Sequence, residues 1–239
     1  MKKILAVVLA LVVCMSVAAI AETAPAVMTY AEYAAAEVDA PVTIEAYVMA
    51  TQSWWNDQIT AYLCDADGAY FAYNMACTEE DAAKLVPGTK IIVTGFKAEW
   101  AGEVEIADAT FEFVDAEPYS AEAFDATALL GTDELVEHIN QYVIFKGLTV
   151  EASNDEGAAF LYNWDGSGAE GTDADLYFNV SVNGQTFTFV DEYYLCNETT
   201  EVYEAIRNLQ VGDVIDVEGY LYWYNGAQPH IISVVAAAE

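Results

Sequence analysis

Two stretches of the chain share one spacing of leucine and glycine: LVPGTKIIVTGFKAEWAG at residues 85–102 and LQVGDVIDVEGYLYWYNG at residues 209–226. The repeated positions are Leu85, Gly88, Gly95 and Gly102 in the first stretch and Leu209, Gly212, Gly219 and Gly226 in the second. Every member is offset by 124 residues. Glycine relieves backbone steric limits at turns and bends, so a shared glycine spacing indicates a shared backbone path. The chain is therefore predicted to contain two copies of one domain.

Around the first copy, the sequence pattern predicts three strands, a helix and two further strands. Strand periodicity and turn residues place the strands at residues 42–48, 59–64, 70–75, 89–100 and 103–114. Thr78 is a favourable N-cap for the helix, which Pro87 and Gly88 end. A capping-box pair, Thr29 and Glu32, predicts a short helix before the first strand.

The second copy repeats this order. A helix is predicted near residues 132–139, a strand at 142–150, a hairpin turning at Asn183-Gly184, a helix at 199–209, and strands at 213–224 and 227–235 joined by Asn225-Gly226. The copies differ mainly after their first strand, where the second carries an acidic, glycine-rich insertion at residues 163–175. Its composition predicts a loop.

This order of elements resembles the OB-fold, a five-stranded Greek-key barrel that binds oligonucleotides or oligosaccharides, over residues 29–115 and 131–236. The resemblance implies a mainly β protein, a tandem OB-fold of the secreted bacterial type. Each barrel would carry a helix between its third and fourth strands and a short N-terminal helix. The predicted divisions are a signal peptide at 1–21, a first domain at 22–115, a linker at 116–130 and a second domain at 131–239.

The N-terminus has the pattern of a secretory leader. Two lysines precede an apolar run over residues 4–13, and an Ala-x-Ala site ends at Ala21. The run is short for a membrane span, which takes about 20 residues. Cys14 follows Val13 and so lacks the residues typical of a lipoprotein site. The pattern predicts cleavage after Ala21, a secreted or cell-surface protein, and no membrane span afterwards.

The chain is strongly acidic, with 39 acidic against 7 basic residues and a formal net charge of −32. Binding of phosphate polyanions depends on Lys and Arg, and an acidic surface repels them at long range. The charge therefore disfavours nucleic acid and favours a neutral or cationic partner, predicted to be an extracellular glycan, peptide or protein. The charge itself is interpreted as serving solubility outside the cell, with cation binding or tolerance of salt as the alternatives.

Aromatic residues fall in the segments with which OB-folds bind ligands, namely the loops joining strands 1–2 and strands 4–5. The predicted ligand-binding residues are Trp54, Trp55 and Trp100 in the first domain and Trp164, Tyr222 and Tyr224 in the second. Their rings offer surfaces for stacking. The alternative for Trp54 and Trp55 is local packing. Trp223 has the strand parity of core residues and is predicted to be buried.

Four acidic residues of the insertion, Asp165, Glu170, Asp173 and Asp175, are weak candidates for Ca²⁺ ligands. The EF-hand pattern fails, because Glu170 stands where a loop beginning at Asp165 needs glycine. A solvated loop is the alternative, and no cofactor is predicted otherwise.

Catalysis has little support, because the chain has only two histidines, at unmatched positions, and no catalytic motif. The sequence therefore predicts a secreted, non-enzymatic ligand-binding module. The alternatives are a structural or accessory extracellular domain pair and, disfavoured by charge, a nucleic-acid-binding OB-fold.

Overall fold

The computed structural model describes residues 26–237, so the predicted leader lies outside the described residues. Helix α1 (Tyr30–Ala35) leads into a first barrel. Its elements are β1 (Pro41–Thr51), β2 (Gln58–Cys64), β3 (Ala69–Ala76), α2 (Glu79–Ala82), β4 (Lys90–Trp100) and β5 (Glu103–Val114). The protein is mainly β, as predicted.

The second barrel begins after a short strand, β6 (Phe124–Asp125), and two 3-10 turns at Thr127–Leu129 and Asp133–His138. Its elements are β7 (Tyr142–Glu151), β8 (Phe160–Tyr162), β9 (Leu176–Val182), β10 (Gln185–Asp191), α3 (Glu201–Arg207), β11 (Val214–Tyr220) and β12 (His230–Ala236). Strands β6 and β8 extend the sheet beyond the five strands that close.

The two barrels have the same topology. The first closes in the order β1-β2-β3-β5-β4, with β4 returning to β1. The second runs β9-β10-β12-β11-β7 and closes through pairing of β7 with β9. In each barrel the third and fifth strands pair in parallel, Phe71 with Glu105 and Val190 with His230. This is the strand order of an OB-fold, so the tandem OB-like architecture is confirmed.

Two of the three repeated glycine pairs have the same role in both barrels. Gly88 and Gly212 adopt positive φ values of 88° and 97° at the turn before the fourth strand. Gly95 and Gly219 lie at register shifts in that strand, where another backbone passes close by. A Cβ on Gly95 would lie 2.6 Å from the Ala107 carbonyl oxygen, so only glycine fits without displacement.

Each barrel encloses its own apolar core. In β1, the alternating residues Val42, Ile44, Ala46 and Val48 are buried, as the period of a half-buried strand requires. Full burial of such an aliphatic side chain contributes roughly 1.5–3 kcal/mol. The core of the second barrel contains Phe145, Phe178 and Phe189 together with residues of α3.

Three local predictions are corrected by the structure. Residues 132–139 form a 3-10 turn rather than an α-helix, and the segment predicted as linker contains β6, which pairs with β7. Strand β11 ends at Tyr220 instead of residue 224, because the tip of this hairpin bonds to the first barrel. The Asn225 amide donates to the Ala101 carbonyl at 2.7 Å. The domain boundaries themselves stay a prediction.

An aromatic cluster joins the barrels. Tyr62 and Phe71 of the first barrel pack against Tyr220 of the second, and the Tyr62 and Tyr220 rings stack with centroids 4.5 Å apart. The Trp223 amide donates to Glu103 Oε2 at 2.8 Å, and its indole lies against Gly102. Buried apolar contacts of this kind hold the two barrels in one arrangement.

Candidate functional site

A cleft of about 1140 Å³ runs between the barrels. The first barrel lines it with the loop after β1, with β2 and β3, and with the end of β4. The second lines it with the insertion after β8, with β9, with the segment after β10 and with the loop between β11 and β12. These are the strand 2–3 face and the loops with which OB-folds bind ligands. The equivalent surfaces of the two barrels thus form one cleft.

Exposed aromatic rings are concentrated in this cleft. Ten aromatic side chains are exposed among residues 26–237, and six of them line the cleft: Trp55, Tyr73, Trp100, Trp164, Tyr194 and Tyr224. The exposed fractions of Trp55 and Trp164 are 75% and 76%. Scattered exposed rings need no explanation, but a contiguous set lining one concavity indicates a binding surface.

Five of the six ligand-binding residues predicted from sequence lie in the cleft, namely Trp55, Trp100, Trp164, Tyr222 and Tyr224. Trp54 does not. Its indole nitrogen donates to the Cys77 carbonyl at 2.9 Å, and its ring packs on the core of the first barrel. Adjacent residues of an extended segment point to opposite sides, which explains why Trp55 faces the cleft and Trp54 the core. Trp223 is half-buried against the core of the second barrel.

The structure adds residues that the sequence analysis missed. Phe71 and Tyr73 of β3, Tyr177 of β9 and Tyr194 after β10 all line the cleft. Phe71 and Tyr73 are two residues apart in β3 and therefore share a face of the strand, so the sequence could have predicted that they lie together. The position of Tyr194 could not have been predicted from sequence, because it depends on how the barrels pack. Its carbonyl accepts from the Ser53 amide at 2.6 Å.

The floor of the cleft is an aromatic stack. Tyr222 stacks on His230 with centroids 4.2 Å apart and meets the edge of Phe71 at 5.5 Å. His230 Nδ1 is hydrogen-bonded to the buried Tyr62 hydroxyl at 2.5 Å. Burial lowers the pKa of His230 to about 3, so the imidazole is neutral at physiological pH.

Carboxyl groups supply the charge around the cleft. Glu192 lines it, and burial, reinforced by Asp175, raises the Glu192 pKa to about 7. Asp173 lies on its rim and is exposed. Glu103, at the junction of the barrels, has its pKa raised to about 8, chiefly by burial. The potential in the cleft is therefore negative whenever these groups ionise.

No basic side chain among residues 26–237 lines the cleft, and each is engaged elsewhere. Lys84 pairs with Glu80 and Asp81, Lys90 with Glu45, Lys146 with Asp125, and Arg207 with Glu170 and Glu204. Lys97 is buried, and its ammonium donates to three carbonyls at the end of α1. The cleft thus combines ring surfaces and carboxyls without a compensating cation.

The four acidic residues considered for Ca²⁺ are dispersed. Glu170 pairs with Arg207, Asp165 accepts from the Ser167 amide, and Asp175 accepts from the Tyr193 amide. Within residues 26–237, no group of three or more His, Cys, Asp or Glu side chains is arranged to hold a metal ion. The insertion shows no geometry suited to the six to eight oxygens that Ca²⁺ takes.

Comparison with known proteins finds similarity at the level of solved structures. The Ifi202 HINa domain in complex with 20-bp double-stranded DNA is 13% identical with a TM-score of 0.35, over 84% of this chain and 98% of that one. A murine DNA-binding protein bound to double-stranded DNA is 12% identical with a TM-score of 0.34, over 82% and 99%. A replication protein A heterotrimer bound to single-stranded DNA is 12% identical with a TM-score of 0.29, over 83% and 49%. No protein-family model and no curated protein matches the chain.

The partner prediction made from sequence is wrong. It named a glycan, peptide or protein and disfavoured nucleic acid, whereas several of the similar solved structures are complexes with double- or single-stranded DNA. Net charge alone does not remove nucleic acid from the candidate ligands, because stacking on aromatic rings is a separate source of affinity.

In the part of the chain that the structure covers, no helix is long and apolar enough to cross a membrane.

Proposed function

We propose that this chain is an exported, non-enzymatic binding module whose ligand site is the cleft between the barrels. The observation that carries the proposal is the concentration of exposed rings: six of ten exposed aromatic side chains line one concavity. Binding sites for small molecules are mostly apolar concavities with a few polar groups, and this cleft has that composition. Its ligand is a small organic molecule with a face that stacks on indole and phenol rings.

The surroundings of both histidines support a non-enzymatic role. His230 is buried, its Nδ1 is bonded to Tyr62 and its pKa is lowered to about 3, so its imidazole is a weak base for a molecule in the cleft. His138 lies outside the cleft, where its ring stacks on Phe124 at 4.3 Å and Nδ1 lies 2.9 Å from Gln141 Oε1. Both imidazoles thus serve packing and hydrogen bonding.

Fluorine NMR of protein labelled with 5-fluorotryptophan tests the site. The chain has five tryptophans, each assignable through a Trp→Phe variant. Across a panel of small aromatic and cationic compounds, we expect ligand-induced shifts for Trp55, Trp100 and Trp164. Trp54 and Trp223 serve as internal controls, because one packs on a core and the other lies at the junction of the barrels. No shift with any compound, or shifts confined to the two controls, would contradict the proposal.

A second candidate is binding of single-stranded nucleic acid, favoured by the three exposed indoles, which offer successive bases stacking surfaces. The same labelled protein tests it with a short oligonucleotide. Because the chain carries a net charge of −32, salt would screen repulsion, so shifts should grow between about 20 mM and 500 mM salt. Ordinary DNA-binding proteins show the opposite salt dependence. Unchanged resonances at both salt concentrations would remove this candidate.

Export rests on the leader pattern of residues 1–21. Expressed with its own leader in a bacterial host, the protein should accumulate outside the cytoplasm with Glu22 as its first residue. N-terminal sequencing and intact mass measure this directly. Replacing Ala19 and Ala21 by Leu should block processing at that site. An unprocessed chain retained in the cytoplasm would overturn the assignment.

A further inference from the structure

The cleft has the chemistry of a site for positive charge. Its exposed aromatic side chains are three indoles and three phenols, and the faces of these rings are electronegative. Its charged side chains are carboxyls, Glu192 within the cleft and Asp173 at the rim. The basic side chains among residues 26–237 are all paired or buried elsewhere. A ligand that brings positive charge therefore meets attraction from every charged group that lines the cleft.

The surroundings of Tyr222, at the floor of the cleft, are also rich in carboxyl groups. Its phenol is half-buried and lies near three carboxyl groups, those of Glu103, Glu105 and Glu192. Burial, followed by the influence of these groups, raises the Tyr222 pKa well above its ordinary value. The ring therefore stays neutral, with its face available for a cation.

We propose that the inter-barrel cleft binds a small organic cation of the methylated-ammonium class, with Trp55, Trp100, Trp164 and Tyr224 as the ring contacts and Glu192 and Asp173 as the counter-charge. This inference rests on the proposed function, since it names the ligand class of the same site. Methylated ammonium groups are weakly hydrated and lack N–H donors when fully substituted. Aromatic rings can therefore replace the water around such a group at little cost in free energy. Carboxylates attract the group through their electric field without accepting a hydrogen bond from it.

Choline and its neutral carbon isostere, 3,3-dimethylbutan-1-ol, provide a matched pair of probes. They share shape and hydroxyl group and differ in the charge. Isothermal titration calorimetry and fluorine NMR of the labelled full chain should show choline binding about tenfold more tightly, a ratio that lies between those of an exposed and a fully desolvated cation–π contact. The affinity for choline should fall as salt rises, because screening weakens the field of the carboxylates.

Variants that neutralise a single carboxylate test whether the preference for choline arises from the cleft. Glu192→Gln should weaken choline binding about threefold, in line with a partly exposed charge pair, without altering the weak response to the isostere. Glu112→Gln is the matched control, because Glu112 is exposed on β5 and does not line the cleft. The comparison is made at pH 8, above the Glu192 pKa of about 7, where each variant removes about one negative charge. Equal losses in the two variants would assign the effect to overall charge and overturn the proposed site.

The outcomes separate this inference from the proposed function. If choline and the isostere bind equally while other compounds shift the cleft tryptophans, the cleft is a binding site and the ligand class is wrong. If no compound shifts Trp55, Trp100 or Trp164, both proposals fall. If choline shifts only Trp54 or Trp223, binding occurs outside the cleft and the inference is overturned.

Discussion

Gly219→Ala is expected to destabilise the protein by about 3 kcal/mol, the upper end of the cost of inserting a methyl group into a filled space. A Cβ on Gly219 would lie 2.3 Å from the His230 carbonyl oxygen and 3.0 Å from Ile231 Cα. These are backbone atoms of the paired strand β12, so no side chain can rotate away. The register shift between Glu218 and Gly219 brings the strands this close where the barrel closes.

Gly184→Ala is the matched control. Gly184 has a positive φ of 78° in the β9–β10 turn, but an added Cβ would meet nothing within 4 Å. Its cost should be about 1 kcal/mol, the backbone penalty alone. Urea unfolding followed by circular dichroism measures both variants. Gly95→Ala, the repeat equivalent, should behave like Gly219→Ala. Equal losses for Gly219→Ala and Gly184→Ala would show that close strand approach is not the reason for the repeated glycine.

The stability of the protein is expected to rise as the pH falls from 8 to 6.5. Burial raises the pKa of Asp191 to about 9, of Glu103 to about 8 and of Glu192 to about 7. In the fold each group keeps its proton up to its own raised pKa, whereas in the unfolded chain it loses that proton near pH 4. Its stabilising contribution is therefore complete below about pH 4 and is lost as the pH rises through the folded pKa.

Asp191 should dominate this effect. It is fully buried, and neither carboxyl oxygen has a hydrogen-bond partner among the described residues. Over the interval from pH 6.5 to 8, its contribution is about 2 kcal/mol, and that of Glu103 is similar or smaller. His230, whose pKa burial lowers to about 3, opposes this trend by only about 0.4 kcal/mol, because in the unfolded chain its imidazole is half-protonated at pH 6.5.

Thermal unfolding at pH 6.5 and pH 8 measures the effect. Asp191→Asn should reduce the difference between the two transition temperatures, because the amide is neutral at both pH values. Exposed Glu112 is the control position, where Glu112→Gln should leave the difference unchanged. A higher transition temperature at pH 8, or an unchanged difference in Asp191→Asn, would contradict the assignment of Asp191 as a buried neutral acid.

Repetition within the sequence was sufficient to predict the architecture. The matching glycines at 88 and 212 and at 95 and 219 impose local backbone conditions, and those conditions are the same in both barrels. Hairpins such as the one at Asn183-Gly184 were predictable for the same reason, since a tight turn depends on the residues within it. The conformation of the turn at Asn225-Gly226 was not predictable, because its backbone forms a hydrogen bond with the other barrel.

The candidate site was predictable only in part. Trp55, Trp100 and Trp164 were identified because the OB-like strand order places their segments at a rim. Trp54 was misplaced because loop composition does not reveal which of two adjacent indoles turns inward. Glu192 and Tyr194 were missed because they follow β10 and reach the cleft only through the contact between barrels. Their sequence neighbourhood contains no sign of that contact.

The amino-acid sequence by itself determined two mainly β barrels of one topology and the acidic character of the chain, because turns, strand periodicity and charge are properties of nearby residues. Tertiary structure alone decided that the candidate binding faces of the two barrels meet in one cleft. That outcome depends on Tyr62, Phe71 and Tyr220, which pack together from positions up to 158 residues apart. Burial of apolar surface between distant segments is a cooperative property, and no short stretch of sequence carries it.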